Sequence, residues 1–118
     1  MHELALARAM IDEALGEARR RGAARVRRVH CRIGRLRMVD PAMLLEAFEL
    51  ARVGTQADDA ELVTTPVGMH LCCRTCGAER DLEGWSLECP ACGSRDIALS
   101  GGDEIELTSL ELEVPDGD

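Results

Sequence analysis

Two Cys-x-x-Cys pairs, Cys73-Arg-Thr-Cys76 and Cys89-Pro-Ala-Cys92, stand twelve residues apart and constrain this chain more than any other feature. Two residues between cysteines form a tight turn that aims both sulfurs at one ion. A glycine follows each pair, Gly77 and Gly93, and lets the chain pass the metal with φ > 0. Backbone N–H groups of such turns donate to the thiolates and offset their charge. Soft tetrahedral sulfur ligation selects zinc, or iron less readily, over hard cations. Four thiolates leave no open position, so the ion at Cys73, Cys76, Cys89 and Cys92 is expected to be structural Zn2+. A pair of redox dithiols is the competing reading, but no thioredoxin-like βαβ pattern surrounds these cysteines.

Two further cysteines need placing. Cys31 alternates onto the apolar side of Val29–Gly34 and reads as a small buried hydrophobe. Cys72 lies beside Cys73 and could compete for the ion, but Cys73 alone keeps the two-residue spacing. His70, three residues before Cys73, is a possible neighbour of the zinc.

The rest of the chain is amphipathic. Leu4 to Arg21 carries Leu4, Ala7, Met10 or Ile11, Ala14, Leu15 and Ala18 on one helical face, with Gly22 placed to end it. Val29 to Gly34 alternates as a strand, turning Arg28, His30 and Arg32 away from the core. Asp40-Pro41 opens a second helix, with Asp as N-cap and Pro at its first position. That helix is expected to turn Met43, Leu44, Ala47, Phe48 and Leu50 inward. Glu61 to Met69 reads as another strand, in which Pro66 marks an edge or a bulge. Alternation resumes at Ile105 and Leu107, slips phase at Ser109 and continues through Leu110, Leu112 and Val114, the signature of a bulge. Asp116 to Asp118 read as a frayed tail.

The predicted fold class is therefore α+β: two helices on a small, mainly antiparallel three-stranded sheet, with an inserted zinc-ribbon-like knuckle. Residues 1–70 plus 98–118 form the main α/β domain, and 71–97, poor in apolar residues, the inserted zinc-binding domain, which needs its metal to order.

Charge and hydropathy exclude several functions. The formal net charge is −8, the wrong sign for a nucleic-acid binder. Nine arginines fall between Arg19 and Arg37, without interleaved aromatics to stack on bases. No apolar run approaches the ~20 residues of a membrane span. With no signal-peptide pattern at Met1-His2-Glu3-Leu4, a cytoplasmic location is expected. No phosphate-binding loop or nucleophile–base set is present, so no enzyme is expected.

The N-terminus carries different chemistry. A free α-amine, the amide nitrogen of His2 and its imidazole can chelate one ion through fused rings. Deprotonated amides impose a square-planar field, which suits Ni2+ or Cu2+ and not tetrahedral zinc. Binding there displaces protons, so affinity falls on acidification.

Met1-His2-Glu3 running into an amphipathic helix, the short α/β chain, the paired-cysteine insert and the late Gly102-Asp103-Glu104 step together resemble the HypA/HybF family of nickel metallochaperones for [NiFe]-hydrogenase maturation. The resemblance covers essentially the whole chain. It implies that Ni2+, transported and not retained, is held by the amine of Met1, the amide and imidazole of His2, and the amide of Glu3. It adds Asp40 as a possible contributor, beside that residue's plain role as a helix cap. It also implies a HypB-type nickel GTPase as partner, and a hydrogenase large subunit or its maturation complex as destination. The alternative is a zinc-ribbon adaptor that mediates protein contacts without nickel transfer.

Overall fold

The computed structural model describes residues 2–115; Met1 and the expected tail, Asp116 to Asp118, lie outside them. The element order is α1 (His2–Arg20), β1 (Arg25–Gly34), a single 3-10 turn (Arg35–Arg37), α2 (Pro41–Ala51), β2 (Glu61–Val67), β3 (His70–Cys73), β4 (Glu79–Asp81), β5 (Ile97–Ser100) and β6 (Ile105–Glu113). The expected α+β class holds, with two three-stranded sheets, ordered β2-β1-β6 and β4-β3-β5. The chain divides into two compact units, residues 1–32, 39–65 and 106–118, and residues 33–38 and 66–105.

In the first unit, α1 buries Ala7, Met10, Ile11, Ala14 and Ala18, the stripe that 3.6-residue periodicity requires. Asp40 caps α2 as expected: its Oδ1 accepts from the N–H of Ala42 at 2.9 Å and of Met43 at 3.4 Å. Leu44, Ala47 and Phe48 are buried on α2. Met43 and Leu50 were expected inward but are exposed, Leu50 to 71%. They sit seven residues apart on one line of the helix, turned from the Leu44/Ala47/Phe48 line.

β1 begins at Arg25, four residues ahead of the clear alternation. Val26 and Val29 are both buried at a spacing of three, so the period-two signal breaks there. β6 shows the predicted slip: Ile105 and Leu107 share one phase, and Leu110 and Leu112 the other. β2 is an edge strand, which accommodates Pro66.

The arginine run on β1 is answered by acids across the sheet. Arg27 reaches Glu113 at 2.8 Å, His30 reaches Glu111 at 3.0 Å and Arg32 reaches Glu106 at 3.5 Å. The descending partner numbers make β1 and β6 antiparallel. Arg28 bridges Glu111 at 2.8 Å and Glu61 at 3.4 Å.

In the second unit β3 pairs antiparallel with both β4 and β5. Its core comprises Met69, Leu71, Cys73, Leu82 and Cys89, with Ala78 and Ile97 against it. The 3-10 turn also belongs here. Leu36 N–H donates to the Gly102 carbonyl at 2.7 Å, and the Arg35 guanidinium lies 4.0 Å from the centre of the Trp85 ring.

Candidate metal centre

β3 delivers Cys73 into the core of the second unit, and the chain then turns back on itself. Gly77 N–H donates to the Cys73 carbonyl at 3.0 Å, and Cys76 N–H points at the Cys73 sulfur at 3.4 Å. The second pair repeats the turn: Gly93 N–H donates to the Cys89 carbonyl at 2.7 Å. Gly77 and Gly93 share φ of 77°, the left-handed conformation that a side chain would strain. The two turns are braced together by Thr75 Oγ against Ser94 Oγ at 2.8 Å and by Arg74 on the Asp96 carboxylate at 3.0 Å. Neither brace carries a signal in the sequence, since both depend on which turn residues end up opposite each other.

The four sulfurs all lie within 4.8 Å of one another. Cys73 Sγ is 3.7 Å from Cys92 Sγ, and Cys76 Sγ is 3.7 Å from Cys89 Sγ. A tetrahedron with metal–sulfur bonds of ~2.3 Å has edges of about 3.8 Å. A disulfide requires ~2.05 Å, and all six cysteines are free. Cys73 and Cys89 are buried while Cys76 and Cys92 are exposed.

Electrostatics distinguish the members. The N–H groups of Cys76 and Thr75 bring the Cys73 thiol down to about 6, and those of Cys92 and Ala91 lower Cys89. Cys92 receives a similar bond from Ser94, but desolvation and the three neighbouring sulfurs override it and push this thiol up to about 12. Four thiolates this close cannot all ionise without a counter-charge. A divalent cation supplies it, so the donor set, spacing and charge fit one tetrahedral thiolate-bound metal ion.

Cys72 stands apart from this cluster. Leu71 and Cys73 are buried, whereas His70 and Cys72 are half-exposed, on the other face of the strand. Nor is His70 a neighbour of the sulfurs by this alternation; its imidazole lies among Glu79 and Asp81.

The N-terminal residues lie in the first unit. His2 and Glu3 lie in the first described turn of α1, and their backbone N–H groups have no carbonyl four residues earlier to bond. Glu3 is only 8% exposed. Its Oε2 lies 3.4 Å from His2 Nε2 and 3.5 Å from the Asp40 N–H. This burial is invisible in the sequence, where Glu3 is an acidic residue at the start of a helix. The Asp40 carboxylate is occupied by its cap.

The HypA family model, described as hydrogenase/urease nickel incorporation and metallochaperone, matches residues 1–112. The chain belongs to the HypA family. Among hydrogenase maturation factors HypA, that of Chlorobium limicola is 34% identical over 98% of this chain and 100% of its own length. The factor from Aquifex aeolicus is 35% identical over 97% of this chain and 99% of its own. A solution structure of a HypA protein superposes with a TM-score of 0.67 at 26% identity, covering 95% of this chain and 96% of that one. The Ni metallochaperone HypA from Helicobacter pylori shares the fold, with a TM-score of 0.65 at 24% identity over 95% of this chain and 97% of that one. Hydrogenase maturation and nickel metallochaperone function are thus the family's field of action, and this HypA chain carries the four-cysteine metal-binding group within it.

Proposed function

We propose that this chain is a nickel carrier that binds Ni2+ through the amine of Met1, the amide and imidazole of His2 and the amide of Glu3, and hands it on during [NiFe]-hydrogenase maturation. The observation that supports this reading is the exposed His2 in the first described turn of α1, with Glu3 Oε2 3.4 Å from its Nε2. The amides of His2 and Glu3 have no carbonyl four residues before them to bond, so ligation there costs the fold none of its helical bonding. His2 is exposed, as a site that must release its ion to a partner needs to be. The partner in this reading is a HypB-type nickel GTPase, and the destination a hydrogenase large subunit or its maturation complex. Copper outcompetes nickel at such nitrogen ligands, so selectivity rests on metal supply and on the partner. Asp40 acts as a cap and not as a ligand.

The four cysteines hold structural Zn2+ in this reading. Their sulfur spacing supports it, as does the small core around them, two of whose five members are cysteines. The carrier has no catalytic step of its own.

Metal analysis of untagged protein, wild type against His2→Ala, tests the division of labour. Loss of nickel with one zinc retained is the expected result. A short N-terminal extension is expected to abolish nickel binding in the same way. Unchanged nickel affinity in the extended protein would overturn the terminal site and leave the adaptor reading.

A further inference from the structure

The exposed face of the β3–β4 hairpin gathers metal-ligating side chains that the four-cysteine centre does not use. The register pairs His70 with Asp81 and Cys72 with Glu79. Directly paired residues project on the same side, with Cβ atoms about 4.5–5.5 Å apart. An imidazole, a thiol and two carboxylates therefore share one face, opposite that of Leu71 and Cys73. On the other flank the register sets Ser100 beside His70 and Ala98 beside Cys72. These small side chains leave the face open.

The imidazole hydrogen-bonds Glu79 and lies near Asp81. His70 Nε2 lies 3.4 Å from Glu79 Oε1, and Nδ1 lies 3.6 Å from Asp81 Oδ1. Metal–ligand bonds of ~2.0–2.1 Å in a tetrahedron put neighbouring donors about 3.4 Å apart, so Nε2 and Oε1 already stand at a ligand–ligand separation. Asp81, 3.6 Å from the remaining ring nitrogen, stands just beyond hydrogen-bond distance, on the side from which a carboxylate orients most metal-bound histidines. Cys72 stands directly across from Glu79, and rotation about χ1 would bring its sulfur toward the pair; as placed, only Cys73, Cys76, Cys89 and Cys92 gather three or more donors within 4.8 Å among the described residues.

We propose that His70 Nε2, Glu79 Oε1 and Cys72 Sγ form a second protein metal site for a borderline divalent transition-metal ion, with Asp81 as the positioning residue of the imidazole. Mixed nitrogen, sulfur and oxygen donors suit Co2+, Ni2+ or Zn2+ and not Mg2+ or Ca2+. Three protein ligands leave a coordination position open, unlike the four-thiolate centre. The site is thus built for exchange, and gives a metal-handling chain a second exposed station distinct from its terminus.

Cobalt alone is the probe. Zinc-loaded His2→Ala protein is titrated with Co2+ and followed by visible absorption, with zinc content measured before and after. The quantity read is the difference between this protein and the same protein carrying Cys72→Ser or His70→Gln. One additional Co2+ with thiolate-to-cobalt charge-transfer absorption is expected in the parent and lost in Cys72→Ser. His70→Gln is expected to lose it too, and Asp81→Asn to weaken it by ~10–100-fold. Cobalt that instead displaces zinc at the four cysteines gives a signal equal in parent and Cys72→Ser, which overturns the proposal. So does uptake unaffected by His70→Gln, or no uptake at all. Failure to retain zinc would count against the four-cysteine reading alone, because the difference between variants is still read above whatever cobalt those cysteines take. Circular dichroism of each variant separates ligand loss from misfolding.

Discussion

The backbone N–H of Asp40 lies 3.5 Å from Oε2 of Glu3, a residue only 8% exposed. The residue that caps α2 with its side chain thus meets, through its main chain, the first turn of α1. Glu3 Oε2 is also the atom that faces His2 Nε2 at 3.4 Å. Asp40 therefore sits close to the N-terminal chemistry for a reason that needs no metal contact: it anchors the buried carboxylate that flanks it.

Asp40→Ala and Asp40→Asn separate these roles. Asparagine caps a helix about as well as aspartate, whereas alanine costs about 1 kcal/mol. Thermal unfolding followed by circular dichroism is expected to show a drop of a few degrees for Asp40→Ala and little change for Asp40→Asn. Nickel stoichiometry and affinity are expected to be unchanged in Asp40→Asn. A clear loss of nickel in that variant would make the carboxylate a ligand.

Removing metal from the four cysteines should act on one unit only. The core of the second unit has five buried members, among them Cys73 and Cys89, too little apolar surface to hold its sheet without an ion. On chelation at neutral pH, amide resonances of residues 70–100 are expected to collapse toward unfolded positions. Those of α1 and α2 should keep their dispersion. Survival of the β3 amides in metal-free protein would show that the fold does not depend on the centre.

Much of this was legible beforehand, and what escaped did so for identifiable reasons. The α1 stripe, the Asp40 cap and the phase slip at Ser109 each rest on periodicity or on a local bond, so a short window of sequence contains them. The four-cysteine cluster is legible because spacing alone fixes the turn geometry. β4 has three residues, all exposed, and β3 and β5 have four each, too short for alternation to register. Their pairing is what creates the second sheet and the His70/Cys72 face. The buried Glu3 meets the Asp40 N–H from thirty-seven positions away, a contact beyond any local pattern. Met43 and Leu50 mislead for the opposite reason: they are apolar, but the helix has only one face to bury.

The cysteines are expected to alkylate in a fixed order in metal-loaded protein. Cys31 is 1% exposed, and burial, aided by the Glu13 charge, pushes its thiol up to about 11. Little thiolate forms there at pH 8, and the reagent cannot reach it. Cys72 is half-exposed and outside the four-sulfur cluster. Iodoacetamide treatment followed by peptide mass spectrometry should find Cys72 modified first and Cys31 modified only after denaturant is added. Early modification of Cys31 would mean that β1 opens readily.

Glu111 gives the β1–β6 face a dependence on pH. Hydrogen bonds from His30 and then Arg28 hold its carboxyl below the ordinary glutamate range, and Arg28 in turn is stabilised as a cation chiefly by Glu111. A carboxylate whose folded pKa is depressed adds stability above its unfolded value, ~4.3, and that contribution is lost as pH falls through the lower folded value. Glu111→Gln removes the charge while keeping the shape. The urea midpoint of wild type should therefore exceed that of Glu111→Gln from about pH 7 to about pH 5. Below that the margin should narrow, and it should close once the carboxylate is protonated in both states. Added salt should shrink the margin at pH 6, because the group is half in solvent. A margin that persists unchanged at about pH 3 would mean that the Gln variant loses packing and not charge.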